Sequence, residues 1–328
     1  MKENQIICGN TIKKLQKIPD NKIDLVYLDP PFFTERNFES FDDKWDSLDQ
    51  YLSFMTEILT QWNRVLKNTG SLYLHCDMHA SHYLKIELDK IFGRKKFQNE
   101  VIWKRHNAHN DTKQGSKMFG RIHDTIFHYT KSNSFTWNTM YDPYPEEYIE
   151  KYYKYVEPES DRRYALGDVS GPGGASKGNP RYSFLGVTRY YRFSKKKMMQ
   201  MYKDGKIIQR TKGTVPLQKR YLDEMPGIML QDVWNDIKSV QVTKKEDVGY
   251  STQKPLKLLE RIIQNSSNEK DLVLDPMCGS GTTLVASQNL GRKFIGIDSN
   301  KEACHIARKR IKERSISGIE MIEPVLLP

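Results

Sequence analysis

The chain lacks most of what marks a secreted, membrane-spanning or metal-stapled protein. Its 328 residues contain four cysteines, Cys8, Cys76, Cys278 and Cys304, far apart and without a CxxC pair. Neither a disulfide framework nor a zinc ribbon is therefore expected, and no metal. No apolar run approaches the roughly 18 residues that cross a bilayer, and the polar start MKENQ has no apolar signal core. A cytoplasmic protein with no membrane partner is the expectation. No GxxxxGKS or GxxxxGKT string and no internal repeat occurs, so a P-loop nucleotidase is a poor reading.

Acid is scarce where base is abundant. The whole chain carries +11, with a pI near 9.2. From Val187 to Arg220, eleven lysines and arginines stand against one acid, Asp204, and Arg94 to Lys131 carry nine against three. The rest of the chain is net acidic. A solvated charged face explains the charge alone. The stretch TRYYRFSKKKMMQMYKDGKIIQRTKG also interleaves aromatics with cations, which suits phosphate contacts combined with base stacking. Arg189, Arg192, Lys195, Lys196, Lys197 and Arg210 are the candidate nucleic-acid contacts.

Periodicity divides the chain. NQIICGN and KIDLVYLDP read as strands, LDQYLSFMTEILTQWNRVLKNTG as an amphipathic helix ending at Gly70, SLYLHCD as a strand, HASHYLKIELDKIFG as a helix, and FQNEVIWK and HDTIFHYTKS as strands. After about Trp137 the alternation stops in a tyrosine-rich charged stretch and the loop DVSGPGGASKGNPRY. It resumes at Ser251 with a helix, the strand LVLDP, the turn MCGSG, a helix over TTLVASQNLG, the strand KFIGID and a basic helix. Such alternation predicts an α/β fold with a mostly parallel sheet.

Two motifs carry chemistry. In LVLDPMCGSGTTLVASQNLGRKFIGID a strand runs through Asp275 and Pro276 into a turn whose Gly279 and Gly281 let backbone approach a ligand. Ser280, Thr282 and Thr283 begin a helix that favours an anionic group. Asp298, 19 residues after Gly279, is placed to accept from both hydroxyls of a ribose. The third glycine of GxGxxG is replaced by Leu284, which argues against a dinucleotide. S-adenosylmethionine needs only a short glycine turn and an acid; a tight turn without ligand is the alternative. In VYLDPPFF, Pro30 and Pro31 stiffen a strand end and leave carbonyls free to accept, beside the carboxylate of Asp29. That cluster fits an exocyclic amine, with Phe32 stacking on a base swung out of a duplex. A polyproline turn capping the strand is the plain alternative.

The two motifs together resemble the β group of DNA amino-methyltransferases, with DPPF at Asp29 to Phe32 and the cofactor turn at Asp275 to Thr283. The resemblance covers roughly residues 5–135 and 250–312. It implies a Rossmann-like methyltransferase core made of 1–137 and 249–328, with a target recognition region at 138–248. STQKP resembles the segment bordering the methionine end of the cofactor, which places Thr252, Gln253, Lys254 and Pro255 there. ICGNTIKKL resembles the strand end near the cofactor's adenine, with Asn10 where relatives usually carry Asp. NEVIWK, Asn99 to Lys104, resembles a segment near the target base. The resemblance implies methyl transfer from S-adenosylmethionine to adenine N6 in flipped-out double-stranded DNA. Cytosine N4, an RNA substrate and a non-catalytic DNA-binding module are the alternatives, and a cognate restriction endonuclease and a homodimer are candidate partners.

Other features read more plainly. His75, Asp77, His79 and His82 complete no compact ligand set and read as a strand end followed by a helix cap. Cys278 reads as a space-filler and Trp103 and Trp45 as core. TERNFESFDDKWDSL reads as a lid or as a surface loop.

Overall fold

The structure, a computed structural model, describes residues 2–35, 43–107, 117, 119–244 and 246–316. Among them, residues up to Thr139 and from Gln231 onward form one compact unit and Met140–Leu230 form a second. Residues 231–248 thus pack with the first unit. The lid stretch lies partly outside the described residues.

The first unit is built on an eight-stranded sheet of β1 (Gln5–Cys8), β2 (Ile23–Leu28), β3 (Leu66–Cys76), β4 (Phe97–Lys104), β5 (His123–Thr130), β6 (Val233–Trp234), β7 (Leu272–Asp275) and β8 (Lys293–Asp298). Their order across the sheet is β1-β8-β7-β2-β3-β5-β4-β6. All pairings are parallel except those of β5, which runs against both β3 and β4. β2 and β7 are apolar and buried along most of their length, as strands covered on both faces must be.

Helices α1 (Thr11–Leu15), α2 (Leu48–Val65), α3 (Ser81–Leu88), α4 (Leu256–Ser266) and α5 (Thr282–Asn289) lie between strands, and α6 (Lys301–Ile316) follows β8. In α2 the buried positions Tyr51, Met55, Ile58, Leu59, Trp62 and Val65 recur at helical spacing, and Ser47 caps the first turn by accepting from Gln50 N at 3.2 Å. The helix stops at Val65, not at Gly70: Leu66 turns to extended backbone, and the chain enters β3 at once. Gly70 lies inside that strand. A Cβ there would sit 2.8 Å from Leu66 Cδ2 and 3.0 Å from the Asp24 carbonyl, so the glycine answers a close approach and not a helix end.

The returning segment after Gln231 is tied to the far edge of the sheet. β6 pairs with β4, Ile237 O accepts from Trp103 Nε1 at 2.8 Å, and Ser239 N donates to Arg105 O at 3.1 Å. Arg261 of α4 forks onto Asp236 at 2.9 and 2.6 Å and stacks on Trp234.

The second unit consists of small antiparallel sheets. Arg163–Asp168 pairs with Leu217–Tyr221, and Arg181–Phe184 forms a hairpin with Val187–Tyr190. Its apolar centre is Val169, Phe184, Tyr191, Met198, Met201 and Ile207. Helix Lys195–Lys203 covers that centre through the two methionines and presents Lys195, Lys196 and Lys197 to solvent.

Burial raises the Asp236 carboxyl, but the bonds from Arg261 and Lys257 prevail and bring it down to about 2. The stability it supplies is full above the ordinary carboxylate value near ~4 and is lost as pH falls through the folded value. Arg261→Leu is expected to cost about 1–3 kcal/mol at neutral pH. Urea unfolding at several pH values checks this: the gap between variant and wild type should close between about pH 4 and pH 2.

Candidate active site

Three neighbouring strands deliver acids to one edge. β8 ends at Asp298, β7 at Asp275, and β2 leads directly into Asp29. From β7 the chain continues to β8 on one side, and from β2 to β3 on the other. The gap between β7 and β2 is therefore a topological switch point, where open α/β sheets bind ligands beyond the strand ends. A cavity of about 790 Å³ lies there. Asn10, Asp29, Pro30, Pro31, Phe32, Thr252, Gln253, Lys254, Asp275, Gly279, Ser280, Thr282, Thr283 and Asp298 all line it, whereas Pro255, Pro276 and Gly281 do not.

The glycine turn is held from several directions. Asp298 accepts from Gly279 N and Asn300 N, each at 2.8 Å, and Asp275 accepts from Met277 N at 3.1 Å and Thr283 Oγ1 at 2.5 Å. Arg310 of α6 reaches Ser280 O, Ser280 Oγ and Thr282 Oγ1 at 2.8, 3.2 and 3.1 Å, so those two hydroxyls are already engaged. Thr11 Oγ1 bonds Pro276 O at 2.8 Å. Gly281 has φ +79°, and a Cβ there would fall 2.7 Å from Ala307 Cβ; only glycine lets α6 lie this close. Cys278 fills space beside Gly296, its thiol pushed well up by burial.

Burial also raises the acids. It lifts Asp275 to about 7 against the bonds from Thr283 and Met277, with the charges of Asp29 and Asp298 adding to the rise. Asp298 is raised by burial despite three backbone donors. Three donors on a carboxylate with about four acceptor sites leave at least one site for a ligand. The carboxylate therefore retains room for a hydroxyl donor.

The DPPF loop is braced by residues that the sequence did not single out. Phe33 has φ +61°, a left-handed backbone uncommon for a bulky residue. Asp43, fully buried, holds it there: its carboxylate accepts from Phe33 N at 3.0 Å, Thr34 N at 2.8 Å, Thr34 Oγ1 at 2.6 Å and Trp45 Nε1 at 3.3 Å. Tyr51 OH donates to the Pro31 carbonyl at 2.9 Å. Asp29 Oδ1 is buried with no donor among the described residues, and Oδ2 is ion-paired with Lys254 Nζ.

Behind Phe32 stands His75. Their rings stack at 6.0 Å between centroids with 22° between planes. The reading of His75 as part of a strand end and cap misses this: the ring is fully buried, with Tyr27 OH at 2.8 Å from Nδ1 and Asp124 Oδ2 at 3.0 Å from Nε2. Burial raises Asp124, yet the bond from His75 and the charges of Arg105 and Lys254 set it below the ordinary range. The ionised carboxylate accepts Nε2–H. Asp77 instead accepts from His79 at 2.8 Å, and α3 has no side-chain cap.

Other expected residues have definite local duties. Asn10 caps α1, its Oδ1 accepting from Lys13 N at 3.0 Å. Gln253 bridges Glu246 O and Val248 N at 2.7 and 3.1 Å, and Pro255 opens α4. Trp103 is buried but also lines the cavity, as does Trp45. Arg189, Arg192, Lys195, Lys196, Lys197 and Arg210 all belong to the 140–230 unit. Arg192 bonds Ser170 O at 2.9 Å and Arg210 bonds Tyr155 OH at 3.2 Å.

A mostly parallel sheet with a ligand cavity over its switch point places the chain in the Rossmann-like α/β class. Residues 23–309 match the N6/N4 methylase family, described as DNA methylase, and the chain belongs to it. M.EcaI, a type II methyltransferase of Enterobacter cloacae, is 31% identical over 89% of this chain and 65% of its own length; the chain thus spans about two thirds of that relative. YhdJ, a DNA adenine methyltransferase of Escherichia coli K12, is 27% identical over 98% of this chain and 86% of its own. The fold is shared with the PvuII DNA methyltransferase, cytosine-N4-specific, at TM-score 0.53 and 15% identity over 94% of this chain and 86% of that one.

Because Asp275 is raised, the folded state holds its proton between about pH 4 and pH 7, and this group's contribution to stability falls as pH rises through that window. Asp275→Asn should flatten the decline in melting temperature across it. An unchanged slope would show that the proton resides elsewhere. Asp43→Ala removes four bonds and leaves Phe33 strained; a loss of about 2–4 kcal/mol in chemical unfolding is expected.

Proposed function

We propose that the protein methylates the N6 amine of adenine in double-stranded DNA, using S-adenosylmethionine, after the base has left the stack. The observation that carries this is the Asp29 carboxylate in a braced DPPF loop, beside the strand that leads to the glycine turn: among the described residues Oδ1 has no donor and Oδ2 has Lys254. Family membership and similarity to an adenine methyltransferase support it. The same acceptors fit the N4 amine of cytosine, which product analysis separates.

The cofactor's residues fit it. Asp298 suits the ribose, and the turn from Asp275 to Thr283, with Thr252 opposite, suits the amino-acid end. Bound there, S-adenosylmethionine supplies a methyl group made electrophilic by its sulfonium. The chain's own residues prepare the amine. Asp29 and the Pro30 carbonyl accept its two hydrogens, which favours pyramidal nitrogen with its lone pair out of conjugation. As the N–C bond forms and the S–CH3 bond breaks to leave a neutral thioether, the nitrogen gains positive charge that the Asp29 carboxylate, fixed in advance, stabilises. The amine then loses one N–H proton, for which Asp29 is the nearby acceptor. Phe32 offers its ring to the base and is kept flat by His75. Positioning is the larger part of such catalysis.

The exposed Lys195, Lys196 and Lys197 sit in the first turn of their helix, where the helix dipole disfavours cations; phosphates would offset that conflict. Duplex DNA is the partner in this reading. A cognate restriction endonuclease and a homodimer are compatible with it.

Incubation with labelled S-adenosylmethionine and DNA, followed by digestion to nucleosides, should yield N6-methyladenine. N4-methylcytosine would move the assignment to cytosine, and no transfer would remove it. Asp29→Ala is expected to reduce transfer by at least about 100-fold while cofactor binding persists; lost cofactor binding would reverse the division of roles. Replacing the three lysines with glutamine should lower the slope of log affinity against log salt by about 2–3.

A further inference from the structure

We infer that the Lys254 ammonium is an internal ligand of the amine clamp: in the free protein it occupies the place of the target amine, and a base is accommodated only by displacing it. This rests on the methyltransferase reading above and adds a role that the STQKP motif did not suggest, since that motif placed Lys254 against the cofactor.

Lys254 engages both groups assigned to the base. Its Nζ is ion-paired with Asp29 Oδ2 and lies 5.4 Å from the centroid of the Phe32 ring. An ammonium is a tetrahedral nitrogen with N–H donors, the geometry the target amine approaches as it reacts. Both side chains of the pair are largely shielded, at 13% and 18% exposure, so the contact is no loose surface bridge.

The backbone on either side of Lys254 is pinned. Gln253 is fastened to Glu246 and Val248, and the Glu246 carboxylate accepts from Leu256 N at 3.1 Å. Displacement of the ammonium therefore calls for rotation about its four-carbon stem and not for backbone movement. Arg105, the other cation lining the cavity, is committed to Asp124 at 3.1 Å. With Lys254 on Asp29, the carboxylate's field is already neutralised, so the observed pose opposes charge development on an amine nitrogen. It belongs to the waiting state.

A selectivity follows. An incoming group replaces the lysine without loss only if it brings N–H donors for Asp29 and a flat ring for Phe32. Thymine, whose corresponding group is a carbonyl, would leave the carboxylate unpaired.

The test uses the full chain and a duplex whose target is identified by methylome sequencing of a host expressing the protein. Steady-state KM values for duplex and for S-adenosylmethionine are compared among wild type, Lys254→Met, Lys254→Gln and Lys254→Arg, with melting curves confirming that each folds. The expected result is a duplex KM lowered by about fivefold in the neutral variants, little change for the cofactor, and wild-type behaviour in the arginine variant. Added n-propylammonium should inhibit Lys254→Met competitively with DNA, beyond an equal concentration of tetramethylammonium, and leave wild type unaffected. A raised cofactor KM with unchanged duplex KM would make Lys254 a cofactor ligand and overturn the inference, as would no change in either KM. If wild type transfers methyl to no nucleic acid, the functional reading falls and this inference with it; transfer with indifferent Lys254 variants removes the inference alone.

Discussion

Packing three carboxylates against one another in a buried cavity is the constraint around which the rest of the molecule is arranged. Asp29, Asp275 and Asp298 arrive on adjacent strands, so their proximity is fixed by the sheet itself. Each finds a different accommodation. Asp275 keeps its proton to about pH 7 and ties the turn to α5; Asp298 collects backbone donors; Asp29 takes a lysine from 225 residues away. A site whose acids coexist only by being protonated, hydrogen-bonded or ion-paired is suited to ligands that bring positive charge or N–H groups.

Much of the fold was legible because it depends on local pattern. β2 and β7 are apolar strands ending in an acid, each followed by an irregular stretch rich in proline or glycine, and such strands can occupy only the middle of a parallel sheet. The boundary at Gly70 was misplaced because the amphipathic stripe of α2 fades gradually, and nothing local shows that Leu66 already pairs with Ile23.

The candidate site was legible as motifs and illegible as a network. Nothing in DPPF indicates that Asp43 and Tyr51 will clamp the loop, that the partner of Asp29 lies in the last quarter of the chain, or that His75 backs Phe32. These are long-range contacts between residue types common on any surface. A faint signal existed for His75: a histidine within an otherwise apolar strand has to find partners when buried. Charge counting likewise overstated the basic insert. Lys206 is paired with Glu224 and Lys219 with Glu157, which leaves the lysines of the helix beginning at Lys195 as the more available part.

The pairing of β2 with β7 has a consequence for how the protein comes into being. Asp24 at the start of β2 bonds Leu272 N, 248 residues onward. Closing so long a loop is entropically costly and slow, and synthesis delivers the N-terminal strands well before their neighbours. Until β7 and β8 emerge from the ribosome, the DPPF loop has no facing wall and Asp29 no lysine. A chain that stops short of these strands carries an acidic loop at a raw sheet edge and no cavity, so whatever chemistry the cavity performs is withheld until β7 and β8 have been made.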